Sequence, residues 1–152
     1  MVETHKITCI KNGQEKVACI ELSKNQYHVG ITFSMENLQL KKTGKNYFDT
    51  LVELRKELEN ININLLCKGC CRNVYPSAMI LSMGERRKAY TLTYGEQAKR
   101  DSLVDIFTPC LVEEYATVKQ QANFFQEWIN SLRKHKKSKM KNILKKVLRW
   151  KK

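Results

Sequence analysis

Apolar and polar residues alternate along the first third of the chain, the period of a strand with one buried face. Residues 5–10 and 16–22 carry this pattern on either side of Asn12-Gly13, a turn signal, which predicts a hairpin. The separation exceeds the two-residue ideal, so the turn type stays open. Residues 26–33 place Tyr27, Val29, Ile31 and Phe33 on one face, which predicts a third, half-buried strand. Residues 41–46 are polar, contain Gly44 and read as a loop. The period then changes. Phe48, Leu51, Val52, Leu54, Arg55 and Leu58 recur at helical spacing and predict a helix over residues 47–59.

Past that helix, Ile61, Ile63 and Leu65 alternate with Asn62 and Asn64, and a short strand is expected. The segment Lys68-Gly69-Cys70-Cys71-Arg72-Asn73 is loop-like. Residues 79–83 are apolar, residues 89–94 alternate with Tyr90, Leu92 and Tyr94 on one side, and residues 103–107 form a short apolar run before Pro109. Thr117-Val118-Lys119-Gln120 fits a capping box. The helix it opens carries Val118, Ala122, Phe125, Ile129 and Leu132 on one stripe, widened by Phe124 and Trp128, and should dock on the sheet. Ser138 offers a new N-cap, followed by a second stripe of Met140, Ile143, Leu144, Val147 and Leu148. The order of elements predicts an α+β fold: a largely antiparallel sheet packed by two helices, plus a basic amphipathic C-terminal helix.

Charge divides the chain. Residues 133–152 contain no acid and hold 11 of the 28 Lys and Arg; the preceding 132 residues hold 17 basic and 15 acidic residues. This predicts a nearly neutral domain at 1–132 and a cationic amphipathic tail at 133–152. With 42% hydrophobic and 9% aromatic residues, the domain has the means to bury a core. The opening MVETHKITCIKNG lacks a long apolar run, and no stretch approaches the ~20 apolar residues of a membrane span. The cytoplasm is therefore the expected compartment, with peripheral attachment at the inner face of the membrane open through the tail.

The tail's candidate surface is Lys141, Ile143, Leu144, Lys145, Lys146, Val147, Leu148, Arg149 and Trp150. Three uses fit it: insertion into an anionic membrane surface, binding of nucleic-acid phosphates, or packing of the stripe on the body or a partner. The stripe favours a surface that buries hydrocarbon, which nucleic acid does not require. In the body, Arg86, Arg87 and Lys88 follow a Met-Gly-Glu turn and precede Tyr90. With Tyr75 they make a candidate binding patch for a protein partner or a phosphate. A solvated loop is the plain alternative.

Of the six cysteines, Cys9, Cys19 and Cys67 fall in strand-like runs and read as small buried hydrophobes. Cys67, Cys70 and Cys71 contain a C-x-x-C whose glycine suits a metal knuckle, but no second C-x-x-C or H-x-x-x-H supplies the remaining ligands; as a redox-active pair it does not open a helix after a strand, and ordinary structural cysteines are the expectation. No metal site and no cofactor is expected. A Cys-His pair through His5 or His28, or a carboxylate pair at Asp101 and Asp105, has no third partner in the pattern, so no catalytic residue is assigned.

The segments Asn73-Val74-Tyr75-Pro76-Ser77, Arg87-Lys88-Ala89-Tyr90 and Leu103-Val104-Asp105-Ile106-Phe107 resemble a block found in small uncharacterised bacterial proteins. The resemblance spans roughly residues 48–132 and implies no activity. The expected function is a non-enzymatic binding protein of bacterial or phage origin, immunity-like in one concrete form. A nucleic-acid-binding protein and a small enzyme using Cys67, Cys70 or Cys71 are the alternatives.

Overall fold

A computed structural model describes residues 2–76 and 84–150, the last by its backbone alone. It has the α+β architecture that the patterning predicts. Strands β1 (Val2–Lys11), β2 (Gln14–Lys24), β3 (Val29–Met35), β4 (Leu38–Gly44) and β5 (Ile63–Leu65) form one antiparallel sheet in the order β4-β3-β2-β1-β5. Helix α1 (Tyr47–Asn60) covers one face of it. Strands β6 (Val74–Tyr75), β7 (Lys88–Thr91) and β8 (Leu103–Asp105) form a second antiparallel sheet, β6-β7-β8. Helix α2 (Val118–Trp150) ends the described chain.

The first hairpin is tighter than its sequence spacing implies. Both strands run up to the turn, with Lys11 opposite Gln14, leaving only Asn12-Gly13 between them. Both turn residues have positive φ, 49° and 80°. That conformation suits asparagine and glycine and matches the twist of the flanking strands. The next connection shortens β3 relative to expectation. The Asn25 side-chain oxygen accepts the Tyr27 and His28 amides at 2.8 and 2.7 Å, closing a turn that leaves Tyr27 74% exposed instead of on the strand's inner face. The polar segment after residue 40 is not a loop but most of β4, an edge strand. Its alternation is carried by Leu38 and Leu40, half-buried and paired with Met35 and Phe33.

The core lies between the large sheet and α1. Ile7 and Cys9 from β1, Ala18, Ile20 and Leu22 from β2, and Ile31 and Phe33 from β3 meet Phe48, Leu51, Leu54 and Leu58 of α1. The opposite sheet face carries exposed Glu21 and Val17 and half-buried Thr8, Cys19, Thr32 and Ser34, so it is solvated. Asn46 caps α1, its side-chain oxygen accepting the Asp49 amide at 2.8 Å. Cys67 and Cys71 tie the following segment to Pro109 and Tyr115 through isolated bridges, joining the two halves of the body.

The capping box at Thr117 forms in both directions: the Gln120 amide donates to the Thr117 hydroxyl at 3.1 Å, and the Thr117 amide donates to the Gln120 side chain at 2.9 Å. Two features of α2 depart from the periodic reading. The buried stripe passes through Gln121, while Ala122 faces solvent. Ser138 starts no new helix, because α2 continues through it for 33 residues in all, about 50 Å at 1.5 Å per residue. The apolar run at residues 79–83 lies outside the described residues.

Candidate functional site

Side chains at positions 133–149 of α2 are all exposed. Met140, Ile143, Leu144, Val147 and Leu148 among them are between 47 and 63% exposed. At 100° per residue these five occupy an arc of about 140°. Lys139, Lys141, Lys145, Lys146 and Arg149 fill the rest of the circumference with Asn142. The apolar face begins only at Met140, since Lys136 and Lys137 sit above it one turn earlier. The side chain of Trp150 lies outside the described residues. At the root of this segment a groove of about 650 Å³ is lined by Gly95, Gln97, Ile129, Leu132, Arg133, His135, Lys136 and Lys139, so its mouth is cationic as well. No described helix is long and apolar enough to cross a membrane.

The helix is held rigidly where it leaves the body. The Trp128 indole donates to the carbonyls of Thr93 and Glu96, both at 3.0 Å, and the Gly95 amide donates to Ser131 at 2.8 Å. Tyr94 donates to Glu127 at 2.7 Å and packs on Phe124 with ring centres 4.6 Å apart. Glu127 is the last acid of the chain.

The second candidate patch gathers around β6 and β7. Tyr75 and Tyr90 are cross-strand partners, and Lys88 opens β7 on its exposed side. Tyr75 is part of the packing: its ring stacks on Phe125 at 3.9 Å and meets Phe48 edge-on at 4.9 Å, and burial raises its phenol pKa. The two arginines face acids of their own chain. Arg87 makes a two-pronged pair with Glu3 at 2.5 and 2.6 Å, donates through Nε to Asp105 at 3.0 Å, and lies over the Phe107 ring. Arg86, at a positive φ of 58°, reaches Asp49 at 3.4 Å, while its Nε is buried without a partner. The hydrogen bond from Arg87, reinforced by His5, holds the Glu3 carboxyl down to about 2. An anionic ligand at Arg87 would therefore compete with Glu3 and Asp105. Asp105 also accepts the Phe107 amide at 2.9 Å, and Asp101 belongs to the short turn Arg100–Ser102.

A third constellation gave only a partial sequence signal. Arg55 is 2% exposed, its guanidinium donating to Gln121 at 2.7 Å, to the Ala116 carbonyl at 2.5 Å and, weakly, to the Gly69 carbonyl at 3.4 Å. The Gln121 amide nitrogen in turn reaches the carbonyls of Gly69, Cys71 and Val74 at 2.8 to 2.9 Å. Glu59 accepts from the Tyr115 hydroxyl and the Val118 amide. This polar core clamps the C-x-x-C turn. Gly69 is required there by crowding: a Cβ would stand 2.7 Å from Leu51 and 2.9 Å from Ile106. Arg55 fell on the apolar stripe of α1, and Gln121 lies on the buried stripe of α2 three residues after Val118 and four before Phe125, so their polarity disguised both core positions. Among the described residues no group of three or more His, Cys, Asp or Glu converges as a metal site.

No protein-family model matches this chain, and no curated protein matches it.

Proposed function

We propose that the protein is a non-enzymatic binding protein that attaches peripherally to an anionic membrane surface through the distal part of α2. The observation that carries this reading is an exposed apolar stripe on a helix segment whose every ionised residue is cationic. Ile143, Leu144, Val147 and Leu148 would enter the headgroup–acyl boundary, with Lys141, Lys145, Lys146 and Arg149 at the phosphates and Trp150 at the interface. Each lysine or arginine near such a surface contributes about 1 kcal/mol, so several together hold a small protein reversibly. Nucleic acid would neutralise the same charges and leave the stripe in water. The body would present Lys88 and Tyr90, beside the internally paired arginines, to a protein partner, in a bacterial or phage setting and with an immunity-like role.

The test is co-sedimentation with vesicles of phosphatidylcholine, with and without phosphatidylserine. Binding should require the anionic lipid, weaken as salt screens the charges, and vanish in a Leu144→Gln, Leu148→Gln double variant that still binds polyphosphate. Absence of wild-type sedimentation at low salt would remove the membrane reading. Equal sedimentation of the double variant would show that charge alone acts, which favours nucleic acid.

A further inference from the structure

Cys67 and Cys70 place two thiols side by side in the core. Their sulfurs are 3.5 Å apart, and both residues are wholly buried. The turn between them is fixed from several directions. The Cys70 amide donates to the Cys67 carbonyl at 2.8 Å, the Lys68 amide to Thr108 at 2.7 Å, the Gly69 amide to Ile106 at 2.8 Å, and the Ala116 amide to the Cys70 carbonyl at 3.0 Å. Two thiols kept this close by surrounding backbone are arranged for a bond between them, which needs a separation of about 2.0 Å. A metal would call for further converging ligands, and among the described residues none complete such a group.

The surroundings also contain a buried positive charge whose carboxylate partner is distant. Buried Arg55 has one carboxylate within reach, Glu59 at 3.9 Å, and its Nε has no hydrogen-bond partner. Burial opposes charge on either group, yet Arg55 stays firmly protonated, with Cys70 the foremost group favouring its charge. In the same way, burial disfavours a Cys70 thiolate, but the hydrogen bond from Cys67 and the Arg55 charge favour it and hold the thiol below its ordinary range. The Cys67 thiol moves the other way, raised by that shared hydrogen bond and by burial. The Arg55 guanidinium also reaches the carbonyl of Gly69, the residue before Cys70, which sets its charge on the Cys70 side of the pair.

We propose that Cys67 and Cys70 form a reversible dithiol–disulfide site that exchanges with low-molecular-weight disulfides, with Cys70 as the attacking thiolate and Arg55 as its buried counter-charge. The Cys70 thiolate attacks one sulfur of the disulfide RSSR, forming Cys70–S–S–R and releasing RS⁻. The Cys67 thiol then gives its proton to that RS⁻, and its sulfur displaces the second RS⁻ from Cys70. The protein loses two electrons to RSSR, which leaves as one RSH and one RS⁻. Because both residues are buried, exchange requires local opening, which would have to release the turn from contacts such as the Ala116 amide on the Cys70 carbonyl. This site is independent of the membrane surface proposed for α2.

The experiment incubates the full-length folded protein with a series of reduced and oxidised glutathione ratios. Samples are quenched in acid, unfolded, alkylated and mapped by mass spectrometry. The expected product is a protein two hydrogens lighter, with Cys67 linked to Cys70 and reverting on return to reduced glutathione. The nucleophile is assigned by two variants: Cys67→Ser should accumulate a glutathione adduct on Cys70 several-fold faster than Cys70→Ser does on Cys67. Cys67 and Cys70 both remaining fully alkylatable at the most oxidising ratio would overturn the proposal, as would a linkage found only between Cys71 and Cys110. Equal or reversed adduct rates would overturn the role given to Cys70. The wild-type map decides the site even where a variant fails to fold.

Discussion

The two halves of α2 share one backbone and live in different surroundings. From Val118 to Leu132 the helix has a reason to exist that its own sequence does not supply: Gln121 and Trp128 are buried, Phe125 stacks on Tyr75, and the capping box closes its first turn. Beyond Leu132 the same helix carries exposed apolar side chains beside lysines that repel one another. Isolated helices are marginal in water, so the distal half depends on propagation from the docked half. A helix can thus be specified at one end by tertiary contacts and leave an apolar face exposed at the other.

The sharpest way to break this contrast is inside the docked half. Replacing Gln121 with Leu keeps the volume and removes the acceptor for Arg55 together with donors to three carbonyls. Leaving a buried guanidinium and several carbonyls unanswered should cost about 3–5 kcal/mol, read as a fall in the urea midpoint. Trp128→Phe retains an aromatic ring and loses the two indole hydrogen bonds to Thr93 and Glu96. A loss of about 1–2 kcal/mol is expected, with hydrogen exchange accelerating first at the Thr93–Glu96 turn. Truncation after Leu132 removes the exposed half entirely, yet stability should change by no more than about 1 kcal/mol. A collapse of cooperative unfolding on truncation would mean that the Met140–Leu148 stripe belongs to the core.

The smallest effect concerns acid. Glu3 titrates near 2 in the folded protein and near 4.5 when unperturbed, because Arg87 and His5 favour its charged form. A depressed carboxyl pKa stabilises the fold above the unfolded value, and that contribution fades as pH falls from about 4.5 through about 2. Glu3→Gln should flatten the pH dependence of the thermal midpoint across that window and leave α2 unaffected. Equal acid sensitivity of variant and wild type would show that the Glu3–Arg87 pair contributes no pH-dependent stability.

Where the sequence was legible, the cause was local. Helix α1 follows from Phe48, Leu51, Leu54 and Leu58 at helical spacing behind the Asn46 cap, and the start of α2 from the Thr117–Gln120 box. Strand β4 was obscured because an edge strand needs only half an apolar face, and Lys41 and Lys42 broke the alternation. Tyr27 followed the strand period but was pulled aside by its neighbour Asn25. The candidate patch had a different limit. Arg87 meets Glu3 across 84 positions of sequence, and Arg55 meets Gln121 across 66. No window-sized pattern reports such pairings. Nor could periodicity identify a glutamine whose core position is earned by its hydrogen bonds.

The rim formed by β4 has a bearing on how molecules of this protein meet one another. Strand edges present unpaired amides and carbonyls on which another chain can grow its own strand. Here that rim carries the exposed Lys41 ammonium on one side and the Lys42–Glu57 pair, 2.5 Å across, on the other. Stacking a second copy against it would bring like charges together and strip their water. The β4 end of the sheet is thereby protected against growing by a further strand.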